Sequence, residues 1–370
     1  MNKRSKADTL QVKESVIESD KRKVVRNRER PLQRWRLTIQ LVFVALCLWI
    51  GVEFFFFVRY LESGGATAWV ARPPGAEAFL PISSLMSLYY FFLSGEVHPA
   101  HPAGLFILVA IFLMSLTFGK TFCSWVCPFG LLSESLADLG EKIMGRRLRL
   151  PRVVDYLLRS LKYLLLAFFL YAIFFVMGKA ALRAFLDSPY NQVADVKMYY
   201  FFAQISSLAF WVIAALVLLS IFIRNSWCRF LCPYGALLGI LGLFSPAKIK
   251  RSPQTCIDCT KCAKVCPSLI KVDQLKTVLS DECTGCLQCV DACPVANTLQ
   301  YQTTIGKRHI PKKLVPVVTI GVFIVITGLA MLTGRWQNDI TPAEYLHHKQ
   351  SLESYGHPTD TQGLDELNEK

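Results

Sequence analysis

The chain has 370 residues, 53% hydrophobic and only 18% charged, with a net charge of +14. A soluble domain could not hide that much apolar surface, whereas several apolar runs near the ~20 residues needed to cross a bilayer account for it. The positive charge is spread between apolar runs and no RNA- or DNA-binding motif accompanies it, so it reads as membrane topology and excludes nucleic-acid binding.

Residues 1–36 carry twelve Lys/Arg against five Asp/Glu, with almost no apolar periodicity. They read as a solvated cytosolic tail that ends in the basic anchor Arg34-Trp35-Arg36. The apolar stretch that follows is long enough to span, which is unlike a cleavable signal peptide. Apolar runs near 37–59, 104–119, 160–178, 201–223 and 314–333 are each bounded by charge, Gly or Pro. Each can satisfy its backbone as a helix inside lipid.

A sixth stretch, 78–95, is also apolar, and the charge count decides its place. Five spans with the N-terminus inside put 31 Lys/Arg on the cytosolic side and seven outside. A sixth crossing would move the six basic residues of 120–155 outside, against the positive-inside rule. The stretch is therefore expected to be re-entrant or to lie at the interface. The chain divides into a basic cytosolic tail (1–36), a four-helix membrane domain (37–244), a ferredoxin module (245–312), a fifth span (313–333) and an acidic outer tail (334–370).

Within the membrane domain there is an internal repeat. FCSWVCPFGLL at 122–132 aligns with WCRFLCPYGALL at 227–238, with Cys and Pro in register 105 residues apart. A spacing of four puts Cys123 and Cys127, and likewise Cys228 and Cys232, on one helix face. Pro after the second Cys marks a helix end or the first position of a new helix. Three readings stay open for these four cysteines: a further metal or cluster site, a thiol–disulfide redox pair, or packing at a helix break.

The module carries Cys256-x2-Cys259-x2-Cys262-x3-Cys266-Pro267 and then Cys283-x2-Cys286-x2-Cys289-x3-Cys293-Pro294. Short spacers let a loop wrap three thiolates around one face of a cubane. In two-cluster ferredoxins the fourth Cys of each run ligates the other cluster. Two [4Fe–4S] clusters are expected, one held by Cys256, Cys259, Cys262 and Cys293, the other by Cys283, Cys286, Cys289 and Cys266. Paired C-x2-C motifs also make zinc sites, but the full run, twice within 38 residues, sets this pattern apart. Val265, Ile270, Val290 and Ala292 are expected to pack around the clusters.

The Cys-Pro pairs on membrane helices, followed by paired ferredoxin runs, resemble the NapH-like membrane polyferredoxins. That group is similar to the membrane regions of NosR and of the CcoG/FixG proteins. The resemblance covers roughly 35–335. It implies a multi-helix membrane protein with cytosolic clusters, linked to quinol oxidation or to delivering electrons to a periplasmic or membrane enzyme. A span after the module matches CcoG/FixG, while the 37 residues beyond it fall short of that group's large folded domain.

Weaker signals complete the reading. Glu53 in the first span is a candidate for a quinone or proton role. Arg159 and Lys162 lie near the inner boundary and are expected to snorkel. His98 and His101 belong to a Pro-rich loop expected to face solvent. His347, His348 and His357 fall in an acidic tail read as a mobile or partner-docking strip, and Cys47 reads as a small core residue.

No Walker loop, dinucleotide fingerprint or haem-attachment motif is present. The chain therefore reads as an electron carrier or quinol-dehydrogenase subunit of a bacterial inner membrane, in contact with lipid. It would relay electrons between a quinone pool, with menaquinone the candidate cofactor, or a cytosolic donor and a partner respiratory enzyme. The alternatives are an assembly factor that reduces a metal or thiol, and a redox sensor.

Overall fold

A computed structural model describes residues 25–356, apart from 30 and 149. It is mainly helical, with a three-stranded sheet. The helices used below are α1 (Gln33–Glu62), α2 (Pro81–Ser94), α3 (Pro102–Phe118), α4 (Thr121–Trp125), α5 (Pro128–Met144), α6 (Arg152–Tyr171), α7 (Lys179–Asp187), α8 (Ala194–Ala203), α9 (Ser207–Phe222), α10 (Pro233–Leu243), α11 (Leu314–Leu332) and α12 (Pro342–Gln350). The strands are β1 (Ala247–Arg251), β2 (Leu299–Thr303) and β3 (His309–Ile310), antiparallel in that order.

Three helical runs are long and apolar enough to cross a bilayer: α1, α6 continued through a π-turn to Val176, and α11. Their central stretches are apolar, while charged residues such as Arg36, Arg59, Asp155, Arg159 and Lys162 stand toward the ends of α1 and α6. Leu41, Val42, Trp49, Val317 and Ile324 project outward from the bundle. The expected run 104–119 is the shorter α3, and most of its surface is buried by α2, α10 and α11. The expected run 201–223 is not one helix. The chain bends by 83° between α8 and α9, and Ser206 caps the new helix by accepting from the Ala209 amide at 3.2 Å.

The stretch 78–95 folds as α2, whose 14 residues extend only about 21 Å. That falls short of the ~30 Å hydrocarbon core. Its Met86 and Tyr90 pack on Ile173, Leu182 and Leu186. Helix α5 crosses α9 at Gly140, where a Cβ would meet the Ile221 carbonyl oxygen at 1.8 Å. Only glycine allows that approach.

The end of the bundle away from the sheet departs from expectation. His98 and His101 are buried, because each finds a partner inside. His98 Nε2 lies 3.0 Å from Asp187 Oδ1, and His101 Nε2 donates to the Asn191 carbonyl at 2.7 Å. Beside them Arg72 is fully enclosed and binds Glu77 (2.7 Å) and Asp195, while the Gly104 amide donates to Glu77 at 2.6 Å.

The acidic segment, expected to be a mobile or partner-docking strip, is packed on the bundle over its described part, with the helix α12 followed by a turn through residue 356. A Thr341/Glu344 capping box starts α12, and Tyr345 is buried edge-on against Phe57 of α1. His348 is held between Tyr355 and Gln192. His357 lies outside the described residues.

Removing one partner of a buried ion pair costs about 3–5 kcal/mol, because the other charge is stranded. Arg72→Met should therefore lower the thermal unfolding midpoint in detergent, and should expose α12 to protease before any other segment. Arg183→Met, on the exposed face of α7, should leave both unchanged.

Candidate metal centre

The two cysteine runs share one backbone course, 27 residues apart. Asp258 and Gly285 both have positive φ (50° and 61°), as do Thr260 and Leu287 (58° and 62°). Left-handed residues at these points curl each loop so that its thiols face inward. A short helical turn, Lys261–Lys264 or Gln288–Ala292, then carries the chain to the fourth cysteine.

The thiols collect around two cavities. Cys256, Cys259, Cys262 and Cys293 line one, with Ile257, Val295 and Leu299. Cys266, Cys283, Cys286 and Cys289 line the other, with Ile249, Ile270 and Val278. Each cavity thus takes its fourth cysteine from the other run.

The walls suit a cluster held by sulfur. Apolar side chains exclude water, and the Ile270 amide points at Cys266 Sγ from 3.4 Å. Burial pushes the thiols of Cys283 and Cys286 up to about 11. Holding them as thiolates needs the positive charge that iron supplies. Among the described residues no group of three or more His, Cys, Asp or Glu closes to single-ion distance. A cubane spreads its ligand sulfurs more widely than one zinc ion does.

The second cavity is fastened to the membrane helices through the carbonyls of its own loop. Ser124 Oγ donates to the Thr284 carbonyl at 2.6 Å, and Trp125 Nε1 donates to that of Gly285 at 3.2 Å. Tyr301 OH donates to the Phe118 carbonyl at 2.5 Å. Just before Cys283, Glu282 binds the fully buried Lys162 of α6, and Tyr163 donates to Asp281. Lys162 was expected to snorkel. It points inward because a buried carboxylate needs a buried cation. Arg159 pairs with Asp155 at 3.0 Å on its own helix.

The segment before α1 was expected to be solvated as far as Arg36. Residues 25–29 and 31–36, the last four already the first turn of α1, instead form a strap against the second cysteine run and the residues that follow it. The Asn27 amide and side chain donate to the Pro294 and Cys293 carbonyls, at 2.8 and 3.0 Å. Gln33 reaches the Cys286 carbonyl and the Asp291 carboxylate. Arg36 is turned inward and grips both oxygens of Glu134 at 2.8 Å each, while Trp35 stays exposed. Glu134 also accepts from Gln288, next to Cys289 of the second cavity, at 2.6 Å.

Cys123 lies beside Ser124, immediately under the second cavity. It is within electrostatic reach of Cys228 and Cys232, and Cys127 senses all three. The repeat therefore gathers four free thiols in one buried place, walled by Tyr234. A glycine follows each Cys-Pro at the same offset. A Cβ on Gly130 would stand 2.1 Å from the Cys123 carbonyl oxygen, and one on Gly235 would stand 3.5 Å from that of Cys228. Glu53 is not in this site; it accepts from Trp49 one turn away on the outward face of α1. Cys47 is half-buried on the same helix.

An enclosed pair of cysteine-lined cavities docked on apolar helices defines the chain as a membrane iron–sulfur protein. The comparisons with known proteins agree. A 4Fe–4S binding domain family matches residues 100–149 and 204–252, one match on each Cys-Pro repeat. A 4Fe–4S dicluster domain family matches 247–301. YccM of Escherichia coli (strain K12), provisionally named an electron transport protein, is 44% identical over 318 residues, covering 84% of this chain and 88% of that protein. The ferredoxin-type protein NapH of Haemophilus influenzae is 29% identical over 184 residues, covering 47% of this chain and 59% of its own length. The regulatory protein NosR of Pseudomonas aeruginosa is 31% identical over 192 residues, 47% of this chain and 24% of its own length. No solved structure matches. The chain belongs to the NapH-like family of membrane 4Fe–4S electron-transport proteins.

Lys162→Met should strand Glu282 and loosen the cysteine module from α6, at a cost of about 3–5 kcal/mol. Adding Glu282→Gln should recover most of that loss. Thermal midpoints of the two single variants and the double variant, read in detergent, give the coupling directly.

Proposed function

We propose that the chain is a five-span protein of the bacterial cytoplasmic membrane, with its N-terminus and cysteine module inside and α12 outside. On this reading it relays electrons between the quinone pool and a partner respiratory enzyme. The reading rests on one observation above all: the Thr284-Gly285 loop lies on Ser124 and Trp125, the residues next to Cys123.

Two [4Fe–4S] clusters would supply one-electron transfer when bound. Cys256, Cys259, Cys262 and Cys293 would hold the first, and Cys283, Cys286, Cys289 and Cys266 the second. The grouping of the thiols around two cavities supports this crossed assignment. The chain's own part is to keep water from the thiols, aim amides at sulfur, and hold the second cavity rigidly against the membrane helices. Cys123, Cys127, Cys228 and Cys232 would form a further redox or metal centre between the quinone pool and the module.

A second reading is an assembly factor that reduces a metal or a disulfide in a respiratory enzyme. It is favoured by the four free thiols sharing one buried place. Anaerobically purified protein separates the two. In the relay, a reduced menaquinone analogue should bring up the cluster EPR signal, and Cys123→Ser or Cys228→Ser should slow its growth. Absence of any quinol effect, with disulfide or copper reduction present, would favour the assembly factor.

Crossed ligation has its own test. Cys293→Ser should leave the same surviving EPR signal as Cys259→Ser, and Cys266→Ser the same as Cys286→Ser. A match of Cys293→Ser with Cys286→Ser would overturn the assignment. A reporter fused after residue 100 should read periplasmic and one after residue 145 cytosolic.

A further inference from the structure

The two cysteine loops have the same backbone, yet only one is used for docking. Around the second cavity, Gly285 is buried under Trp125 and Leu287 is 0% exposed. The corresponding residues around the first cavity are bare: Ile257 is 50% exposed, and Asp258 and Thr260 are also open. The first loop thus keeps a branched apolar side chain in solvent at the point where the second loop is covered by the membrane helices.

The rim is basic. Exposed Lys261 and Lys264 stand on the turn that follows, and Arg251 lines the cavity. Exposed Arg26 and Arg28 lie on the strap that pairs with Val295, another residue of the same wall. Against them stand two exposed carboxylates, Asp258, which lies 3.8 Å from Arg251, and Glu29 on the strap, which pairs with Lys312, so the exposed cations outnumber them. A second copy of the chain would present the same basic face. The chain's first 24 residues also fail to complement it, with seven Lys/Arg against four Asp/Glu.

Resting on the cluster reading above, we infer that this face docks a small, soluble, acidic one-electron carrier. Ile257 sits at the centre of the contact, and the Arg26–Lys264 rim steers the carrier in. One electron passes between the carrier and the cluster held by Cys256, Cys259, Cys262 and Cys293, and no bond or proton changes hands. The second loop, committed to Ser124 and Trp125, faces the membrane domain. The chain thus has a soluble port and a membrane port.

The test is stopped-flow reduction of the full-length holoprotein, in phosphatidylcholine nanodiscs, by a reduced acidic two-iron ferredoxin. Electrostatic steering is worth tenfold or more in association rate and falls with salt. Lys261→Glu/Lys264→Glu should lower the second-order rate constant by about tenfold or more and abolish its salt dependence. Arg28→Glu, outside the cysteine loops, should give a smaller fall of the same sign. Reduction by photoreduced deazaflavin, which needs no docking, should stay as in the parent.

Equal rates and salt slopes in parent and variants would overturn the proposal. No cluster signal with deazaflavin in the parent would instead refute the cluster reading itself.

Discussion

A loop that turns its thiols inward must turn its carbonyls outward, and a buried carbonyl needs a donor. That constraint organises the molecule. The carbonyls of Thr284 and Gly285 leave the second cavity and meet Ser124 and Trp125 of a membrane-domain helix. Those of Cys286 and Cys293 meet Gln33 and Asn27 of the strap. Each bond is worth about 1 kcal/mol made, and costs about 1–3 kcal/mol if its buried partner is left unmet. The contacts therefore fix where the module sits more firmly than they stabilise it.

Charge completes the fastening at two points. Glu134 joins Arg36 of α1 to Gln288 of the module, and Arg224, after α9, lies 3.9 Å away. Burial would raise this carboxyl, but the hydrogen bond and charge of Arg36 hold it below its usual range. Lys162 and Glu282 make the second point, from α6. Both are buried, so neither charge has water to fall back on.

The cysteine pattern made the grouping of the thiols around two cavities legible, because spacing within a tight loop restricts which thiols can come together. The long apolar runs were legible for the same local reason. What composition could not reveal is which polar residues near those runs face inward. Lys162, Arg36, His98 and His101 carry no local mark of their partners, which lie 29 to 120 positions away in the chain. The bend at 204–206 was hidden because apolar content alone does not distinguish one helix from two. The Ser124-Trp125 pair inside FCSWVCPF did offer a signal: two donors between two cysteines, in an otherwise apolar motif.

The strap adds a consequence in time. Asn27 and Cys293 are 266 positions apart, so the strap emerges from the ribosome first and its partners emerge almost last. During synthesis the first helix is already in place while residues 25–36 have nothing to pair with. Long-range contacts of this kind close late in folding. Asn27 therefore stays without its partners until Cys293 and Pro294 have been made.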